Sequence, residues 1–192
     1  MRWGSLEHQG EFMNCRMLAA VLFIPLTCQA DGARDKSVAA IFNEYCLINP
    51  SSFASLSDRA ASEHLQVDLE RDIPMPNGGA MKQKNWRIPS FGKAPLLLTS
   101  GDVENGGVHV FGCGIYALDG DGKGIEAALS ALPRMAEPIR RSKNETGATV
   151  IWWRAKVGEN APSENSEVML ATGVPGMPGT SINLILKNTI SR

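Results

Sequence analysis

The stretch Gly106–Asp121, GGVHVFGCGIYALDGD, decides how the chain is read, because it holds the longest strand signal and a cysteine. On a ribbon of period two, Val108, Val110 and Tyr116 project to one side and Phe111, Cys113 and Ile115 to the other. Both sides are largely apolar, the pattern of a central strand covered on both faces. Gly112 and Gly114 flank the cysteine and predict a bulge or a close backbone approach.

Downstream, Asp119-Gly120-Asp121-Gly122 reads as a turn and helix cap, followed by a helix over 125–135 with Ile125, Ala128, Leu129 and Leu132 at helical spacing. A polar loop over 140–147 leads to strands at 149–157, 166–172 and 181–187, the last two joined by the turn-rich GVPGMPG. Upstream, Trp86 and Ile88 alternate with Arg87, which predicts a short strand at 85–88, a turn, and a return at 95–99 into the central strand. Nearer the N-terminus, Val38, Ile41, Phe42, Tyr45 and Cys46 mark a helix over 34–48. Asn49-Pro50 ends it, and Ser51 or Ser52 caps a second helix with Phe53, Leu56, Ala60 and Leu65 inward. The expected fold is α+β: an N-terminal αα-hairpin packed on a mainly antiparallel sheet of about six strands, with one further helix.

The 192 residues suit a single core, and 43% hydrophobic against 20% charged content is that of a globular domain. A formal net charge of -1 argues against a nucleic-acid binder. Residues 13–30, with Arg16 before the apolar run LAAVLFIPLTCQA, follow the pattern of a secretory signal peptide cleaved after Ala30. The run is too short to span a membrane as a helix. Residues 1–12 precede a complete signal and are read as a non-native extension, leaving residues 31–192 as one domain with no transmembrane segment. Cys28 opens a second processing route, lipidation, although Pro25, Leu26 and Thr27 match such sites poorly.

Cleavage leaves Cys46 and Cys113, both on apolar faces, in a chain bound for an oxidising compartment, and a disulfide between them is expected. Closing a loop of about 68 residues contributes roughly 4 kcal/mol on the chain-entropy model. Two buried free thiols are the alternative.

His64 and His109 have no metal-site spacing, the Asp119–Ser130 stretch departs from a calcium loop at Lys123 and Ser130, and no nucleophile or phosphate-loop motif occurs. No catalytic residue, metal or cofactor is therefore assigned. Two surface features remain. Between Asp72 and Asp102 there is no acidic residue, while Lys82, Lys84, Arg87 and Lys93 lie there beside Trp86. Trp152 and Trp153 are adjacent in a strand, so only one can fill a given core, and Arg154 follows them. These eight residues are the candidate contact set for an envelope protein, a polysaccharide or an anionic surface.

The strings QKNWRIPS, HVFGCGIYA and VIWWRA, with the export signal, resemble a group of small uncharacterised exported bacterial proteins. The resemblance implies a periplasmic or envelope setting and carries no activity. The expected function is an exported binding or interaction module, periplasmic or secreted, the alternative being a small hydrolase-like enzyme whose residues converge without a local motif.

Overall fold

The computed structural model describes residues 34–48, 52–76, 79–89, 94–105, 107–143, 145, 147–159 and 165–189. Residues 1–12, read as an extension, residues 13–30 with Cys28, read as a signal peptide, and Lys93 lie outside the described residues.

Helix α1 covers residues 34–48, α-helical over 34–42 and widening into a π-helical end at Asn43–Ile48. Helix α2 is Phe53–Ser62, and α3 is Gly122–Ser130. The strands are β1 Gln66–Pro74, β2 Ala80–Ile88, β3 Leu96–Asn105, β4 Val108–Ala117, β5 Met135–Lys143, β6 Thr149–Ala155, β7 Ser166–Thr172 and β8 Thr180–Thr189. They form one antiparallel sheet in the order β1-β2-β3-β4-β8-β7-β6-β5. Two four-stranded meanders thus meet where β4 pairs with β8, and α3 carries the chain from β4 at the centre to β5 at the far edge.

This corrects the expected architecture in two respects. The sheet has eight strands, not about six, and both additions are its edges. Asp68, Glu70, Arg71 and Asp72 in β1 leave only Leu69 and Ile73 half-buried, and in β5 only Met135 is. Charge and proline on an edge strand oppose pairing with another chain, and the same residues erase the apolar alternation by which a strand is recognised. Secondly, the two N-terminal helices are not an αα-hairpin packed on the sheet. The end of α1 lies against β4, whereas α2 lies against β3. In the π-helical end Tyr45, Cys46 and Leu47 are buried in succession, so this end is covered on more sides than one amphipathic stripe provides.

All three helices lie on one side of the sheet. Their buried residues, Val38, Phe42 and Leu47 from α1, Leu56 and Ala60 from α2, and Ile125 and Leu129 from α3, share a core with one face of the strands. That face includes Trp86, Leu98, Phe111, Ile115, Trp153, Val168, Leu170, Ile182 and Leu184. A disulfide joins Cys46 on α1 to Cys113 on β4, with Cα atoms 5.5 Å apart. Among the described residues no helix is long and apolar enough to cross a membrane.

Candidate binding face

Because successive side chains alternate, the strand residues between those of the core form a second face, and no described element covers it. On β4 this face carries Val108, Val110, Gly112, Gly114 and Tyr116, so the central strand is apolar on both sides but packed on one. Leu97, Val103, Val110, Tyr116, Val150, Trp152, Met169 and Ile185 are all half-buried here. Between these apolar side chains the same face carries Asn85, Thr99, Asn183, Glu167 and Arg154, so it is mixed in character.

The registers order this face into rows. One row of directly opposed residues crosses the entire sheet: Leu69, Asn85, Thr99, Gly114, Asn183, Met169, Trp152 and Arg140, one from each strand. The next row sets Gln83, Gly101, Gly112, Ile185, Glu167 and Arg154 side by side. A Cβ on Gly101 or Gly112 would meet nothing nearer than backbone atoms at 3.8 Å. The floor of the face is therefore bare backbone at its centre. At the β5 end Arg140 lies over the Trp152 ring, 4.7 Å from its centroid. With Ile139, Glu167 and Lys187 the two line a depression of about 500 Å³.

The seven candidate residues that are described do not form one patch. Trp86 is 2% and Trp153 0% exposed, and both belong to the core, whereas Trp152 is half-buried on the uncovered face. Lys82 and Lys84 share the side of Trp86, while Arg87 projects to the other. Their charges meet acids from the edge strand that sequence reading missed. Lys84 pairs with Glu70 at 2.8 Å and Arg87 with Asp68 at 2.5 Å, and Lys82 stands opposite Asp72 on β1 and Asp102 on β3. The acid-free segment is thus locally basic in sequence and close to balanced in space. Arg154 is half-buried opposite Glu167 and has partners of its own. Lys187 bonds Glu167 at 3.3 Å. Arg140, by contrast, has no carboxylate partner among the described residues and is held only by the indole beneath it.

Sequence reasoning missed Arg140, Asn85, Thr99 and Asn183. Arg140 fell in a stretch read as loop, and Asn85, Thr99 and Asn183 are ordinary polar residues that only the strand registers bring into line. The alternation in SINLILK, which places Ser181, Asn183, Ile185 and Lys187 on one side, is the signal that could have found Asn183.

On the helix side, His109 bonds Asp102 at 2.6 Å across the β3–β4 hairpin, and His64 is exposed at the end of α2. Among the described residues no group of three His, Cys, Asp or Glu could hold a metal ion. A second, apolar depression of about 480 Å³ lies between α1 and α3, lined chiefly by Ala39, Ala127, Ala128, Ala131 and Leu132. No family model, curated protein or solved structure matches this chain.

Proposed function

We propose that the protein is an exported binding module of the periplasm or envelope that holds an anionic partner on the helix-free face of its sheet, with Arg140 as the anchoring cation. The observation that carries this reading is the Arg140–Trp152 stack. A guanidinium held over an indole ring keeps hydrogen-bond donors for a carboxylate or phosphate. Lys84, Arg87 and Lys187 already spend their charge on neighbouring acids. Export is supported by the signal pattern of residues 13–30 together with the Cys46–Cys113 disulfide, a bond that persists in oxidising compartments.

The test uses periplasmic material whose N-terminus is Asp31 and two anionic probes, a uronic-acid oligomer and phosphatidylglycerol vesicles. Arg140→Gln is expected to weaken binding to the preferred probe by about tenfold and to flatten its dependence on salt, since a charge-assisted contact is lost. Trp152→Ala, which releases the guanidinium, is expected to act in the same direction. An Arg140→Gln variant that binds both probes as the parent does, with the parent's salt dependence, would show that the anchor lies elsewhere.

A further inference from the structure

Between the Arg140–Trp152 stack and Leu69 at the opposite edge, the transverse row runs through Met169 and then Asn183, Gly114, Thr99 and Asn85, three uncharged hydrogen-bonding groups and a glycine beyond one apolar side chain. Thr99 Oγ1 and Asn183 Oδ1 converge over Gly114 from its two neighbouring strands, so close that a Cβ at Gly114 would collide with both. Beside Thr99, Asn85 Oδ1 is buried and has no hydrogen-bond partner among the described residues. An unmet buried acceptor is destabilising, and a turn of the half-buried Asn85 side chain toward a ligand hydroxyl would remove the deficit. Alongside runs the sunken floor of Gly101 and Gly112, where the sheet lacks side chains and a ligand can approach the backbone.

We infer that the anionic partner is an acidic polysaccharide, laid across the strands along the row from Arg140 to Asn85. The inference rests on the reading above and specifies its ligand. Hydroxyls both donate and accept, and so match amides and a threonine hydroxyl, which also do both. The carboxylate of the same polymer matches Arg140. Strand spacing puts Arg140 and Asn183 roughly 14 Å apart and Arg140 and Asn85 roughly 29 Å apart, a span for several linked sugars and not for one small molecule. Against a lipid surface or an acidic peptide, the discriminating feature is the run of uncharged amide and hydroxyl groups beside the single cation unpaired among the described residues, which a polymer bearing hydroxyls on every sugar satisfies strand after strand.

The experiment titrates the full mature chain with an oligogalacturonate, a neutral galactan oligomer and phosphatidylglycerol vesicles, by calorimetry and by amide-resolved NMR. The acidic oligomer is expected to bind more tightly than the neutral one and to shift the side-chain amide signals of Asn85 and Asn183. Thr99→Val, nearly isosteric, should weaken it about fivefold and Asn183→Leu about tenfold, each with the parent's circular dichroism. Vesicle binding that depends on Arg140, with no oligomer binding or with unmoved amide signals, would overturn the glycan assignment and leave the anionic reading standing. Failure of both anionic probes would overturn both readings, and so would binding of the acidic oligomer indifferent to Arg140, Thr99 and Asn183.

Discussion

Gly112 and Gly114 lie on the same side of β4, and neither has a positive φ, yet they meet opposite surroundings. A methyl group at Gly114 would approach the Ile182 carbonyl to 2.6 Å and Thr99 Oγ1 to 2.8 Å, and the carbonyl belongs to a paired strand that cannot yield cheaply. Gly114→Ala is therefore expected to destabilise by about 1–3 kcal/mol, the usual cost of overpacking. At Gly112 the nearest atoms stand at 3.8 Å, so alanine fits, and its smaller unfolded-state entropy is expected to stabilise by about 0.4–1 kcal/mol. Urea midpoints should move in opposite directions; a common direction would mean that the two sites are packed alike. The bulge expected from these glycines is absent, since β4 pairs without a register shift on both sides. The close approach is there at Gly114, made by the Ile182 backbone carbonyl together with the Asn183 and Thr99 side chains. Alternation alone sufficed to send Trp152 and Trp153 to opposite faces, but not to say which was buried, because that depends on the helices lying on one side.

Among the elements, α1 and α2 are joined by a polar cluster. Arg59 on α2 bonds Glu44 Oε1 at 2.5 Å and Glu63 Oε1 at 2.7 Å and lies 4.2 Å from the Tyr45 ring centroid, while the Tyr45 hydroxyl donates to Glu63. Burial, then the bond to Glu63, holds the Tyr45 phenol well above its usual range, so it remains a donor. Burial alone would raise the Glu63 carboxyl, but the bonds from Tyr45 and Arg59 and the Arg59 charge outweigh it and hold Glu63 below the usual 4.5. A carboxyl lowered in the folded state stabilises fully above its unfolded value and loses that contribution as pH falls through its folded value. Stability measured by urea is thus expected to fall as the pH drops below about 4.5, and Glu63→Gln should be less stable at neutral pH with a shallower acid slope. Equal acid slopes for parent and variant would remove the cluster from the pH dependence. The elements legible in the sequence were those with an apolar side: the inner strands and the three helices. The edge strands β1 and β5 were not, because Asp68, Glu70, Asp72 and Arg141 interrupt the apolar alternation, and missing these strands also hid the acids that balance Lys84 and Arg87.

Across the whole molecule, β4 ties the helix layer to the open face. Its Cys113 side is bonded to α1, and its Gly112 and Gly114 side forms the floor of the transverse rows. The cross-link spans a sequence separation of 67 residues, from the first described helix to the middle of the sheet, and so constrains much of the unfolded chain. On the chain-entropy model such a loop contributes about 4 kcal/mol, against a typical domain stability of about 5–15 kcal/mol. Cys46→Ala with Cys113→Ala is expected to lower the urea-determined stability by about that amount while the far-ultraviolet spectrum stays that of the parent. Both cysteines are at most 1% exposed, so dithiothreitol without denaturant should leave no alkylatable thiol, and thiols should appear only as the protein unfolds. The double variant still presents Arg140, Thr99 and Asn183 on the uncovered side. Its folded fraction should therefore bind the acidic oligomer with the parent's affinity. If the affinity fell along with the stability, the disulfide would be shaping the binding face through β4, and the two sides of this strand could not be treated as independent.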